Sequence, residues 1–147
     1  MTPFRFRLEK VLAWRQRELE HEDQKFKREL AALAELDRRH AELEATGVRA
    51  EIQVREWSPL AGADLAALGS FRLRVKQEEK ALAAARADRE KRAEAQRLVM
   101  LEARRRCRLL ERLRERRLAE WEKARDREIE ELAVESCLAR RASRRGG

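Results

Sequence analysis

Apolar residues recur along this chain at intervals of three and four, with one interruption. Leu12, Leu19, Phe26, Leu33, His40, Gly47 and Val54 stand seven residues apart, and Leu8, Leu30, Leu36, Leu43, Ala50 and Trp57 form a companion row. The alternation is clearest over Leu43, Gly47, Ala50, Val54 and Trp57 and describes the seam of a coiled coil. Near Leu33 and Leu36 the phase slips, which predicts a locally irregular supercoil. A second run opens with Leu65, Leu68, Val75 and Leu82. It resumes with Met100, Ala103, Cys107, Leu110 and Leu113, then Leu118, Trp121, Ile129 and Leu132. Its middle is thin, since Ala81, Ala83, Ala84, Ala85 and Ala87 leave little to bury. Between the runs lies the one internal stretch that would stop a helix, Trp57-Ser58-Pro59-Leu60-Ala61-Gly62-Ala63-Asp64.

These patterns predict an all-α fold, a long two-helix antiparallel coiled-coil hairpin forming one domain over residues 1–147. Helix one is expected over 3–57, a turn over 58–63, helix two over 64–141 and a frayed basic tail over 142–147. Thr2 and Pro3 suit a helix start, the hydroxyl as cap and the proline in the first helical position. Asp64 can cap the second helix. Folding back at the turn pairs residues whose numbers sum to about 121, so Leu8 faces Leu113 and Leu12 faces Leu109 and Leu110. Helix one is ~80 Å long and helix two ~115 Å. The second therefore outruns the first, and Leu118, Trp121, Ile129 and Leu132 are expected on an overhang that nothing in this chain covers. An uncovered apolar stripe of that kind points to a partner.

Composition agrees with a thin core. Charged residues make up 44% of the chain, against about 25% in ordinary globular domains. Disorder is the competing reading of so much charge, and the regular leucine spacing argues against it. Acid-first pairs four apart, such as Asp23 with Lys27, Glu51 with Arg55 and Glu102 with Arg106, support exposed helix by ~0.2–0.5 kcal/mol each. The net charge of +8 is concentrated in the second half, where residues 101–147 carry 15 basic and 10 acidic side chains. That field suits anionic partners of several kinds.

Candidate chemistry is sparse, and the reading is of a non-enzyme with no cofactor and no metal. The five glycines cannot write a phosphate-binding loop. Neither His21 nor His40 has a second ligand at metal spacing, and the carboxylates read as solvated partners of Arg and Lys. Cys107 and Cys137 are 30 residues apart on one helix, too far to bridge within the chain. With no apolar run near the ~20 residues of a membrane span and a charged N-terminus, the expectation is a cytoplasmic protein. The sharpest local signal is arginine-rich: Arg104, Arg105, Arg106, Arg108, Arg112, Arg114, Arg116 and Arg117. It reads as a phosphate-binding helix, as a solvated face relieved by Glu102, Glu111 and Glu115, or as a docking face for an acidic protein. The absence of Asn and of a zipper behind the basic stretch argues against base reading.

The two ends carry a resemblance. Phe4-Arg5-Phe6-Arg7-Leu8-Glu9-Lys10-Val11-Leu12-Ala13-Trp14-Arg15 closely resembles the start of FliJ-family proteins of the bacterial flagellar export apparatus. Leu109-Leu110-Glu111-Arg112-Leu113-Arg114-Glu115-Arg116-Arg117, with Trp121 and then Glu130-Glu131-Leu132-Ala133, looks like that family's C-terminal run. The likeness spans nearly the whole chain. It implies a peripheral component of type III protein export at the inner face of the membrane beneath the flagellum. Such a component is a central stalk of the hexameric export ATPase, linked to the export gate and serving as a general export chaperone that escorts other chaperones. Carried onto this sequence, the ATPase-facing residues are Phe4, Leu8, Leu12, Leu113, Arg117, Leu118 and Trp121, and the gate-facing residues are Phe71, Val75 and Leu82. Glu78, where an apolar contact is expected, departs from the family pattern, and so does Ile129-Glu130-Glu131. The equivalent stalk of a virulence-type secretion system is an alternative. A basic coiled coil that binds nucleic acid or a membrane surface is another, and a homodimer whose overhang pairs with itself is a third.

Overall fold

A computed structural model describes residues 1–57 and 61–147. Of the expected turn, Ser58, Pro59 and Leu60 lie outside the described residues. Two long helices, α1 over Glu9–Glu56 and α2 over Gly62–Arg145, pack against each other antiparallel in a two-helix hairpin, and the described residues hold no strand. The chain divides into two compact units. The first joins Met1–Leu19 to Glu102–Gly147, and the second is Glu20–Leu101.

In the second unit the pairing is written by polar bonds between helices. Arg72 Nε donates to Glu51 at 3.0 Å, Arg86 Nε to Asp37 at 2.7 Å, Arg89 Nη1 to Glu29 at 3.4 Å, and Gln96 Nε2 to the Glu22 carbonyl at 3.1 Å. The paired numbers sum to between 118 and 123, close to the expected 121. On α1 the half-buried positions run Glu22, Phe26, Glu29, Leu33, Leu36, His40, Leu43, Gly47, Ala50 and Val54 without a break in the four-and-three alternation. The expected slip near Leu33 and Leu36 is therefore absent. Glu29 holds the seam position beside Arg89, and Leu30 turns outward at 45% exposed.

The alanine-rich stretch of α2 stays engaged by the same means. Val75, Glu79, Leu82, Arg89, Ala93, Gln96 and Met100 continue the alternation, with Ala93 and Met100 buried. Small side chains let the helices approach, and long polar ones bridge the gap while keeping their heads hydrated. Asp64 does cap α2, but from inside its first turn. It accepts the backbone N–H of Ala61 at 3.1 Å, the return half of a capping box, while the Ala61 carbonyl accepts the Asp64 N–H as a backbone turn.

In the first unit Leu12, Ala103 and Cys107 form the buried seam. Leu110, Arg114, Leu118, Trp121 and Arg125 extend it half-buried along α2, whereas Leu109, expected opposite Leu12, points outward. Four expected boundaries change, the end of helix one by a single residue, from 57 to Glu56. Helix one does not begin at residue 3: residues 1–6 are non-helical, and α1 starts at Glu9. Residues 142–145 are not frayed, because α2 continues to Arg145 with Arg144 and Arg145 in its last turn, where cations complement the helix dipole. The beginning of helix two moves from 64 to Gly62.

Candidate functional site

The first eight residues determine what the first unit presents. Phe4, Phe6 and Leu8 are half-buried while Arg5 and Arg7 are exposed, the period-two alternation of an extended segment. Two phenylalanines and a leucine separated by arginines cannot lie on one helix face, but they do lie on one side of an extended chain. That side rests on α2. Trp121 Nε1 donates to the Thr2 carbonyl at 3.1 Å, and the Phe4 and Trp121 ring centroids are 6.2 Å apart at a tilted 56°. Arg114 lies over the Phe4 ring at 5.6 Å and Arg125 over Trp121 at 5.2 Å. The result is a stack of cation, ring, ring and cation. Each ring face meets positive charge where the quadrupole is negative. Arg114 also donates to Glu9 at 3.0 Å, tying the stack to the first residue of α1.

Extension buys reach. Between the pair of Glu9 with Arg114 and the approach of the Met1 amino group to Glu128 at 3.9 Å, eight residues of the first segment pass fourteen of α2. At about 3.3 Å per extended residue against 1.5 Å per helical one, only an extended segment can do this. Leu118 and Trp121 are accordingly covered in part by this chain, which corrects the expectation that they lie bare. The overhang begins later: residues 126–147 are all exposed, with Ile129, Leu132, Val134 and Leu138 each more than half so.

Of the ATPase-facing candidates, Phe4, Leu8, Leu113, Arg117 and Trp121 line a single open groove of about 980 Å³ together with Thr2, Pro3 and Phe6. Leu118 is half-buried on the neighbouring turn. Leu12 is set apart, since at 4% exposed it is core and cannot meet a partner. A helix expected from residue 3 conceals the roles of Thr2, Phe6, Arg114 and Arg125. The signal was present in the strict alternation Phe4-Arg5-Phe6-Arg7-Leu8. The arginine-rich stretch is partly paired within the chain: Arg105 and Arg106 with Glu102 and Arg117 with Glu120 along α2, and Arg114 with Glu9 across to α1. Arg105 first and Arg106 next hold the Glu102 carboxyl down to about 2.

The gate-facing candidates Phe71, Val75 and Leu82 are half-buried seam residues of the second unit. A methyl built on Gly47 would lie 4.0 Å from Val75 Cγ1. Phe71 and Val75 reach a side groove beside Val48 and Glu51, and Leu82 reaches another beside Leu43 and Thr46. The outward apolar residues nearby are Leu73, at 60% exposed, with Val48 and Ile52. Trp57 is half-exposed and lines a small hollow with Val54, Leu68 and Phe71.

Among the described residues no group of His, Cys, Asp and Glu could hold a metal ion, and no helix is long and apolar enough to cross a membrane. Cys107 is 2% exposed, and burial first, then the Glu111 carboxylate, pushes its thiol above the usual range. Comparison with protein families, with curated proteins and with solved structures finds no match to this chain.

Proposed function

We propose that the chain is a FliJ-like stalk and chaperone of a flagellar type III export apparatus, acting without catalysis of its own. The observation that carries the reading is that the two segments with the family resemblance, residues 4–15 and 109–121, meet through the Phe4 and Trp121 contact. Beyond that contact α2 continues uncovered. In this reading the clasped end and the bare helix enter the pore of a hexameric export ATPase. The paired helices of the second unit meet the export gate and escorted chaperones. Energy comes from ATP hydrolysed by the ring, and the chain contributes a stiff asymmetric insert that contacts the ring's subunits unequally. The same geometry serves the virulence-type counterpart.

The test is binding to the flagellar export ATPase of the same organism, with ATP turnover measured in parallel. Saturable binding with faster or more cooperative turnover supports the stalk role. Truncation after residue 117 should then abolish binding while most helicity remains. Full affinity in the truncated chain overturns the assignment of that end. An active ATPase oligomer that neither binds nor responds overturns the stalk role, and titration against duplex DNA and anionic vesicles over a salt series then distinguishes the basic-surface alternatives.

A further inference from the structure

The net charge of this protein belongs to one of its two units. The first unit carries 20 basic and 12 acidic side chains and the second carries 16 of each, so the whole excess of eight lies in the first. Within that unit the excess is gathered on one face of α2. The buried and half-buried positions Ala103, Cys107, Leu110, Arg114, Leu118 and Trp121 turn one side of the helix toward the seam. On the opposite side, at about 100° per residue, stand Arg105, Arg112, Arg116, Lys123 and Arg127. Leu109 and Ala119 complete this stripe, which advances in steps of three and four and holds no acid from 105 to 127. Every member is exposed, Leu109 at 53%. Arg112, Arg116, Lys123 and Arg127 make no ion pair among the described residues, and Arg105 stays 61% exposed while paired with Glu102.

We propose that the stripe is a docking surface for a membrane leaflet rich in anionic phospholipid, on which this part of α2 lies flat. Three features select that partner. First, the stripe is straight and about 33 Å long, so a plane meets all five cations at once, each about a Debye length or less from the next. Second, the flanks carry both signs: Arg106, Arg108 and Arg117 stand there with Glu102, Glu115, Glu120 and Glu122. A nucleic-acid groove that enclosed the helix would bring its phosphate walls against those carboxylates, whereas a plane touches only the ridge between them. Third, only Leu109 and Ala119 are apolar, too few for the dry seam that an acidic partner helix needs, and arginines buried in such a seam would lose their water. At a leaflet surface the guanidinium and ammonium heads stay hydrated among lipid phosphates, and Leu109 reaches the headgroup boundary. The inference is independent of the export reading, because binding to lipid neither requires nor excludes binding to an ATPase ring.

The test is co-sedimentation of the full chain with phosphatidylcholine vesicles containing about one-third phosphatidylglycerol, at about 0.05–0.5 M salt. Binding should saturate, be absent from pure phosphatidylcholine and fall away as salt rises. Arg112→Glu with Arg116→Glu should lower the partition coefficient at least about tenfold. Lys76→Glu with Lys80→Glu makes the same change of charge, four residues apart, at exposed positions of the second unit that form no ion pair among the described residues. That pair should change the coefficient less than about twofold. All four positions are exposed, so circular dichroism should show both chains fully helical. In a Cys137→Ser background, a polarity-sensitive dye on Leu109→Cys should shift to the blue on the vesicles, and one on Leu73→Cys should not. Failure to bind the anionic vesicles overturns the proposal, and so do equal losses in the two charge-reversed chains or equal dye shifts. Tighter binding to duplex DNA than to the vesicles, at equal phosphate and salt, overturns the choice of lipid.

Discussion

Trp121→Ala should detach the first eight residues from α2 without unfolding the helices. Among the described residues the side chain donates a hydrogen bond to the Thr2 carbonyl at 3.1 Å, makes a tilted ring contact with Phe4 at 6.2 Å, and lies under the Arg125 guanidinium at 5.2 Å. Typical contributions are about 1 kcal/mol for the hydrogen bond, about 0.5–1.5 for the ring pair and about 0.5 for an exposed cation over a ring. Because the ring is only half-buried and the contacts are not additive, the loss is about 2 kcal/mol rather than their full sum. The cost falls on local opening, since residues 1–8 can lift away while α1 and α2 stay paired. At 1.4 kcal/mol per tenfold, the opened population rises roughly thirtyfold. Arg5 and Arg7 lie in that segment, so limited trypsinolysis reads the opening directly: the rate of N-terminal trimming, followed by intact mass, should rise by the same factor. Trp14→Ala is the matched control, because Trp14 is 54% exposed and has the Arg15 guanidinium of its own helix over its ring at 4.5 Å. An unchanged trimming rate in Trp121→Ala, or an equal rise in Trp14→Ala, refutes the clasp.

Gly47→Ala should raise stability by about 0.5–1 kcal/mol, since the helix interior disfavours glycine and a methyl there meets Val75 Cγ1 at an ordinary 4.0 Å; a lower melting temperature would show that the seam has no room. Gly69→Ala meets nothing within 4 Å and should gain a similar ~0.5–1 kcal/mol from propensity alone, which a parallel thermal melt checks. Glu22, Glu35, Glu94 and Glu102 have carboxyls held below the ordinary range, chiefly by bonds from Gln96, Arg38, Arg97 and Arg105 respectively. Their contribution to stability is therefore complete above the unfolded value of about 4.3 and is lost as pH falls through the depressed folded values, to about 2 for Glu102. Thermal melts from pH 6 to 2 should show that loss, and a flat profile would contradict it. A disulfide-exchange reagent should label Cys137 quickly and Cys107 slowly, because one is exposed and the other is buried with a raised thiol. Cys137→Ser should remove the fast phase, and equal rates for both thiols would place Cys107 outside the seam.

Much of the fold was legible in the spacing of leucines. The antiparallel register near 121 followed from the position of the one central break, which leaves a single way to fold back, and the heptads supplied the facing residues. The errors share a cause. Counting apolar residues selects Leu30 over Glu29 and finds little between Val75 and Met100. The structure fills those seam positions with Glu29, Arg89 and Gln96, whose long stems pack while their polar ends bond across the seam. At the N-terminus, a plausible cap at Thr2-Pro3 outweighed five alternating residues that marked an extended segment. The candidate site was half legible for the same reason. Phe4, Leu113 and Trp121 stood out as apolar, whereas Arg114 and Arg125 take part through their guanidinium planes, which hydropathy counts as solvent-facing.

The polar cross-links of the second unit also set an order of assembly. The sequence separation they span rises from 21 residues for Glu51 with Arg72 to 74 for Glu22 with Gln96, and in the first unit Thr2 with Trp121 spans 119. Loop closure costs most at the first contact and little at each later one, because every new pair closes only the few residues beyond the last. Assembly therefore zips outward from the innermost pair. During synthesis, residues 9–56 are complete before any residue of α2 exists, and Leu12 waits exposed until Ala103 and Cys107 have emerged. The contacts of residues 1–8 with α2 close last and open first, so the pairing is made from the turn and undone from the termini.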